Sequence, residues 1–401
     1  MTEPQRHQAQ NKGFLSRTQK IAFYATILYA VLIFLLSQPT IQRHVAYQHY
    51  LSEPFRGRLD VPEKYGLAPG KTLNTKILTS DNVTLGAWFV LADPYYQSLR
   101  SGGHPTSQPS LETIQAAIQA YPTILYLHGA AGRRSTTWRV QGYNAYTSRM
   151  QSNVLVIDYR GFGDSEGSPS EAGLASDAYA AWTWLVEQGA RSHDVLIYGH
   201  SLGTGVAGKL GSRLARENVK PRGIVLTAPF SSLSSVVETY NIFGFPVLQP
   251  LQQFAWGRKL IKRLTIEEYN TLSVIREFNV PTLIAHAVND FDVPHTHSRT
   301  LLDHLLDPLL PPAVDLPSAP GTPMSEEGYA AFIEVQGKRR EARATLVRKV
   351  EVPNFGVVEE FDGTYGKVIY VETMWGSHAL VGLQEGVQDA IISTFRLGGR
   401  L

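Results

Sequence analysis

Asp194-Val195-Leu196-Ile197-Tyr198-Gly199-His200-Ser201-Leu202-Gly203-Thr204-Gly205 runs from a short apolar strand through Gly199-x-Ser201-x-Gly203 into a small-residue run, Val206-Ala207-Gly208-Lys209-Leu210, that opens a helix. A serine on so sharp a strand-to-helix turn is held in a strained backbone conformation. Its flanking glycines are required, because a side chain there would strike the neighbouring strand and helix. The turn exposes the Ser201 hydroxyl at the carboxyl edge of a sheet, where a histidine can reach it. The N–H groups that follow, at a helix start, point toward a developing oxyanion. A chance Gly-x-Ser-x-Gly in a loop would lack the strand before it and the helix after it.

Outward from this turn the same rhythm repeats. Apolar strands are expected at 122–127, 153–157, 223–227, 282–287 and 367–371, after an antiparallel pair at 72–78 and 83–91 around Ser80-Asp81-Asn82. Between residues 170 and 188, Ala175, Tyr179, Trp182 and Val186 recur at helical spacing. A short helix is expected at 111–120 within a polar loop, and a closing helix at 384–395. Apolar strands alternating with amphipathic helices mean a mostly parallel sheet covered on both faces, an α/β fold. No internal repeat is present.

The chain has 401 residues, 43% of them hydrophobic and 18% charged, which is ample for a globular core. A formal charge of +2 gives no argument for a nucleic-acid partner. Having no cysteine, the chain has no disulfide, no thiol nucleophile and no thiolate-bound metal. Residues 21–36 (IAFYATILYAVLIFLL) carry no charge. They span about 24 Å as a helix, a little short of a hydrocarbon core of about 27–30 Å, and Ser37 and Gln38 extend them into the interface. Large residues fill the end of the run and no small-residue cleavage site follows, so an uncleaved signal anchor over 21–38 is expected rather than a removed signal peptide. Residues 1–20 form a polar, basic, disordered tail on the cytosolic side, and 39–69 a proline-bearing juxtamembrane linker to a catalytic domain at 70–401.

A serine in this elbow needs a base and a group that orients the base. In the α/β-hydrolase superfamily, which uses the elbow, the acid and then the histidine follow the serine in the chain. The strand at 282–287 runs into Val288-Asn289-Asp290-Phe291-Asp292-Val293-Pro294, and His378 follows the last strand in Trp375-Gly376-Ser377-His378-Ala379. Both sit at the edge that carries Ser201. Two carboxylates compete for the acid's place, and the superfamily's Asp-x-x-Val-Pro pattern selects Asp290 over Asp292. His128 and His200, beside glycines in packed turns, read as structural; His286 reads as a buried strand residue. His295-x-His297 beside Asp290 and Asp292 lacks a matched further ligand for a metal, so none is expected. The oxyanion hole is assigned to the backbone N–H groups of Leu202 and of Ala130, which follows His128-Gly129.

Two segments stand outside the rhythm. Residues 231–271, inserted after the sixth strand, are rich in aromatic residues and are expected as a lid. Phe243, Phe245, Phe254 and Trp256 are its candidate acyl-pocket residues, with simple packing of the cap as the alternative, and Arg258, Lys259, Lys262 and Arg263 form either a head-group site or a solvated helix face. Residues 307–362 open on a proline-rich stretch and are expected as a surface excursion.

VTLGAW (83–88), ILYLHGAAG (124–132), DYRGFGDSEGSPSEAG (158–173), YGHSLGTGVA (198–207), TAPFSSL (227–233) and HAVNDFDVP (286–294) together resemble a group of membrane-anchored α/β-hydrolases. These are the lipases grouped as abhydrolase domain-containing protein 12, known as lysophosphatidylserine and monoacylglycerol lipases. The resemblance runs from about residue 62 to the carboxyl end, with the apolar anchor placed as in the family, and departs from it in a longer 307–362 insert. It implies the α/β-hydrolase fold, Ser201 as nucleophile, Asp290 as acid, His378 as base, no cofactor and a lumenal site in the endoplasmic reticulum. Two other readings stay open: a protein depalmitoylase, which needs the same triad in the cytosol, and a tethered interaction protein on an inactive hydrolase fold. Cations before the apolar run (Arg6, Lys12, Arg17, Lys20) outnumber those after it (Arg43, Arg56), placing the amino terminus in the cytosol. Asn82-Val83-Thr84 is the only glycosylation sequon, and it lies in a hairpin turn. The sequence is silent on acyl-chain length, head group and oligomeric state.

Overall fold

A computed structural model describes residues 4–51, 57–100, 103, 105, 107–239, 247–314 and 325–399. The chain opens with a long helix, α1 (Pro4–Leu36). The helix therefore begins well before Ile21, and residues 4–20, expected as a disordered tail, are helical. Within it, Arg17–Leu36 is long and apolar enough to cross a membrane, and none of that span is buried inside the protein. Helix α2 (Pro39–Tyr47) starts on a proline, whose fixed φ suits a first helical turn.

Part of the segment expected as a juxtamembrane linker is docked on the domain. Tyr47 is fully buried. Its hydroxyl meets that of Tyr269 at 3.0 Å, and its carbonyl accepts from the N–H of Ala131 at 2.9 Å. The Leu51 carbonyl accepts from Gly132 N–H at 2.6 Å. The docked stretch works as a strap rather than a tether.

Strands β1 (Thr72–Leu78) and β2 (Thr84–Val90) pair antiparallel around the expected turn. Helices α3 (Asp93–Leu99) and α4 (Leu111–Ala120) follow, the second capped by the Ser110 side chain on Thr113 N–H. Then come β3 (Thr123–Leu127), α5 (Thr137–Ser148), β4 (Asn153–Ile157), α6 (Glu171–Glu187), β5 (Val195–His200), α7 (Leu202–Arg216) and β6 (Gly223–Thr227). The lid segment 231–271 carries α8 (Leu233–Thr239), α9 (Gln249–Gln252) and α10 (Ala255–Leu264), and α11 (Thr271–Val274) follows it. Strand β7 (Thr282–Ala287), α12 (Thr296–Leu306), α13 (Glu326–Leu346), β8 (Arg348–Val352), β9 (Gly356–Gly363), β10 (Gly366–Thr373), α14 (Ser377–Leu380) and α15 (Glu385–Phe395) complete the chain.

These strands form one ten-stranded sheet in the order β1-β2-β4-β3-β5-β6-β7-β10-β9-β8. From β4 to β10 the neighbours are parallel; the two pairs at each flank are antiparallel. Alternation along the strands divides the core. Leu125 and Ile197 face the layer of α4, α6, α7 and α12, whereas Tyr126 and Tyr198 face α5 and α15. Strand order reverses between β3 and β5, leaving a crevice at their carboxyl ends, where such sheets bind ligands.

The 307–362 insert is only half a surface excursion. Helix α13 has no buried residue, but β9 pairs with β10 along its whole length and buries Phe361, so residues 348–363 extend the sheet.

Candidate active site

Ser201 stands at the junction of β5 and α7 with φ 50° and ψ −121°, a left-handed backbone that a non-glycine residue adopts at a cost of about 1–3 kcal/mol. Two glycines make the turn possible. A Cβ on Gly199 would lie 2.5 Å from the Gly203 carbonyl oxygen, and one on Gly203 would collide with the carbonyl oxygen of Leu127. The helix start can thus press against β3 only with hydrogen at both positions. Leu202 is the first residue of α7, so its N–H has no acceptor within the helix, and the residue lines the cavity beside Ser201.

The histidine loop is fixed from beside. Ser377 N–H donates to the Asn289 side chain at 2.9 Å, tying the turn after β10 to the turn after β7. His378 Nε2 then lies 2.7 Å from Ser201 Oγ, and its Nδ1 2.7 Å from Asp290 Oδ2. The carboxylate at the end of this relay is Asp290, not Asp292, which is exposed and donates its backbone N–H to Asp290 Oδ1. Asp290 is fully engaged: Oδ1 also takes Val293 N–H at 2.9 Å, and Oδ2 also faces His286 Nε2 at 2.9 Å. Burial alone would raise its pKa. Hydrogen bonds from His286 and His378 outweigh that and hold it below the usual carboxylate range.

Because His286 Nε2 also approaches the Val293 carbonyl, at 3.0 Å, that nitrogen carries the proton, and Nδ1 meets the Ser298 hydroxyl. His200 is buried, and its Nε2 donates to the His378 carbonyl at 2.9 Å. Burial, then the neighbouring His378, lowers its pKa to about 3, so it is neutral and supports the histidine loop.

The loop after β3 is organised by a residue that no sequence motif marks. Arg139, buried on α5, donates from Nη2 to the carbonyls of Gly129 (3.0 Å), Ala130 (3.1 Å) and Ala131 (2.8 Å). With three consecutive carbonyls gathered to one side, the N–H groups across those peptide planes face the other. Ala131 and Gly132 spend theirs on the strap carbonyls of Tyr47 and Leu51. The N–H of Ala130, across the plane from the Gly129 carbonyl, points away from Arg139, and Ala130 lines a cavity together with Ser201.

That cavity, about 420 Å³, has Ser201, His378, Leu202 and Ala130 at one end; its remaining walls are largely aliphatic. Asp290, Asp292 and His378 bring ligand atoms within 4.8 Å of one another. Both Asp290 oxygens and both His378 nitrogens are already engaged by protein partners, an arrangement suited to proton transfer rather than to holding a cation. His297 lies in α12 and pairs with the Ser231 hydroxyl at 2.9 Å.

The sequence profile of the alpha/beta hydrolase family matches residues 124–363. The chain belongs to this family. This hydrolase is 31% identical over 296 residues to lysophosphatidylserine lipase ABHD12 of Bos taurus, covering 72% of this chain and 70% of that one. It is 34% identical over 288 residues to the Xenopus tropicalis protein of the same name, covering 70% of each. Against protein ABHD12B of Homo sapiens the identity is 30% over 265 residues, covering 64% of this chain and 67% of the other. Among solved structures, an alpha-beta hydrolase from Vibrio vulnificus superposes with a TM-score of 0.52 at 15% identity, covering 89% of this chain and 94% of that one, a likeness of fold alone.

The lid residues fall differently from expectation. Phe254 and Trp256 are exposed, stacked on each other at 5.7 Å, and do not line the cavity; Phe243 and Phe245 lie outside the described residues. The lid's contribution to the wall is aliphatic: Leu248, Leu251, Leu260, Ile261 and Leu264. On α10 the cations Arg258, Lys259, Lys262 and Arg263 occupy the outer face. Asn82 is exposed at the β1–β2 turn with φ 60°.

Proposed function

We propose that this chain is a membrane-anchored serine hydrolase that cleaves the carboxylic ester of a lysophospholipid or monoacylglycerol, with its catalytic domain in the lumen of the endoplasmic reticulum. The observation that carries the reading is the unbroken relay Ser201–His378–Asp290 opening into an apolar cavity. Ser201 Oγ attacks the ester carbonyl as His378 Nε2 takes its proton, and Asp290 stabilises the imidazolium through Nδ1–H. The N–H groups of Ala130 and Leu202 receive the oxyanion. Collapse of the tetrahedral intermediate expels the glycerol-side alcohol, which takes the proton from His378 and leaves the acyl group on Ser201. Water, deprotonated by the same histidine, then releases the fatty acid. The relatives named lysophosphatidylserine lipases make a serine-headed lysophospholipid the first substrate to test.

The experiment is hydrolysis of oleoyl lysophosphatidylserine, oleoyl lysophosphatidylcholine and mono-oleoylglycerol by membranes carrying the full chain or its Ser201→Ala variant. Release of oleate from at least one lipid by the wild type, and none above background by the variant, is expected. Equal release by both would end the assignment.

A further inference from the structure

The cavity that reaches Ser201 is walled partly by the helix that anchors the chain. Ile33 and Leu36 of α1 and Val45 of α2 line it together with Leu248 and Leu251 of the lid. The contact is built rather than incidental. Tyr29 Oη donates to the Val247 carbonyl at 3.0 Å. The Gln42 side chain donates to the Leu264 carbonyl at 2.8 Å and accepts from Ile266 N–H at 3.2 Å. Arg43 pairs with the buried Glu267 at 3.4 Å.

Depth along α1 gives these contacts their meaning. The apolar span ends at Leu36, and Tyr29 lies seven residues earlier, about 10 Å along the helix axis. In a bilayer the lid carbonyl that it satisfies sits at the level of hydrocarbon, where an unpaired backbone carbonyl would be costly. Tyr29, which with Tyr24 and Thr26 carries a hydroxyl into the apolar run, is thereby accounted for. Ile33 also lies within the span, so the cavity wall continues below the membrane surface. Other faces of the helix are bare: Phe23, Leu28 and Phe34 are each more than 60% exposed, as lipid-facing residues should be.

We propose that the anchor is one wall of an acyl-binding site, and that a single fatty-acyl chain enters between α1 and the lid directly from the bilayer to reach Ser201. The cavity then takes the acyl tail of a membrane-resident ester, while the head group stays at the surface beside α2. This rests on the serine-hydrolase reading above and adds to it the route and the residues that sense the chain. An acyl chain moving along this route exchanges one apolar environment for another and never crosses water.

The test uses the full chain in phospholipid nanodiscs and a long-alkyl fluorophosphonate carrying a diazirine in its chain. After the phosphonate has reacted with Ser201, irradiation is expected to crosslink the chain to residues 29–37 and to 247–264. A Ser201 adduct whose crosslinks never include α1 would overturn the proposal. Absence of any Ser201 adduct would instead remove the catalytic reading, and this inference with it. In parallel, Leu36→Trp is expected to lower the ratio of oleoyl-ester to propionyl-ester hydrolysis at least tenfold, whereas Leu28→Trp, on the bare face, should leave that ratio unchanged. An unchanged ratio in Leu36→Trp would count against the anchor as a wall.

Discussion

In the mechanism proposed above Ser201, His378 and Asp290 act as a unit, so their removal is expected to be non-additive. Ser201→Ala and His378→Ala are each expected to lower ester turnover by several orders of magnitude, and the double variant by little more. Asp290→Asn presents His378 with the wrong hydrogen-bonding partner and is expected to cost about 10⁴ in kcat. Asp292→Asn, whose side chain is not the one facing His378, should cost less than tenfold; the reverse ranking in steady-state kinetics would move the acid to Asp292. Arg139→Lys keeps the charge but loses the fork that collects three carbonyls. It is expected to lower kcat by about 10², the scale of one lost oxyanion donor, with KM nearly unchanged. An Arg139→Lys enzyme of full turnover would show the loop holding its shape without the guanidinium. At this scale the elbow, Asp290 and His378 were legible because short motifs at strand ends mark them. Arg139 was not: in Trp138-Arg139-Val140-Gln141 it reads as one more helix-surface cation, and only the packing of α5 under the loop after β3 turns it inward. His286 was readable as buried, but its hydrogen bond to Asp290 depends on the fold of the loop that follows β7.

The insert between α12 and β10 divides into parts of unlike importance. Helix α13 is held by Arg339 to Asp307 at 2.7 Å and by Arg343 to Asp303 and Glu359 at 2.6 and 3.1 Å. The pairs to Asp303 and Asp307 have half-exposed carboxylates and are worth about 0–1 kcal/mol each. The buried Glu359 keeps Arg299 at 2.6 Å when α13 is removed. Replacing residues 312–346 with a short Gly/Ser linker is therefore expected to shift the melting temperature by only a few degrees and to leave probe labelling of Ser201 intact. Phe361→Ala, in a residue 4% exposed on β9, is expected to cost about 3–5 kcal/mol in denaturant unfolding. Indistinguishable stability of Phe361→Ala and wild type would return β9 to the surface. Strand β8 escaped the sequence reading for a physical reason: all five residues of Arg348-Lys349-Val350-Glu351-Val352 are exposed. A charged, outermost strand is protected against pairing with other chains, and the brief alternation of Val350 and Val352 with Lys349 and Glu351 is too short to mark a strand. In the lid the aromatic content suggests a pocket, yet Phe254 and Trp256 face outward, and leucines with Ile261 line the cavity.

Across the whole molecule, the strap joins the apolar helix α1 to the loop that carries Ala130, and α1 and α2 hydrogen-bond to the lid, so these parts are held together. With more cations before the span than after it, the carboxyl terminus is expected to be lumenal. A tag at Leu401 should survive protease in sealed microsomes until detergent is added, and an Asn82-linked glycan would give a glycosidase-sensitive shift lost in Asn82→Gln. Digestion of the tag in intact microsomes would place the site in the cytosol and favour the depalmitoylase. Acid should unfold the domain in a defined window. Burial lowers the pKa of His128 and His297 below the ordinary 6.5, and that of His200 to about 3. Below 6.5 the unfolded chain binds protons that the folded one refuses, so stability falls as pH drops from 6.5 toward 3. His200→Gln keeps an N–H for the His378 carbonyl but does not titrate, so melting temperature against pH should slope less in that variant; an identical slope would mean His200 titrates normally in the folded state.

The central claim, that Ser201 is a nucleophile activated by His378, is met most directly by mass spectrometry of the full-length protein after reaction with a fluorophosphonate. One adduct on the peptide containing Ser201 is expected in the wild type, none in Ser201→Ala, and a labelling rate lowered by at least 10² in His378→Ala. A folded wild-type protein that forms no adduct, or forms it on another residue, would contradict it.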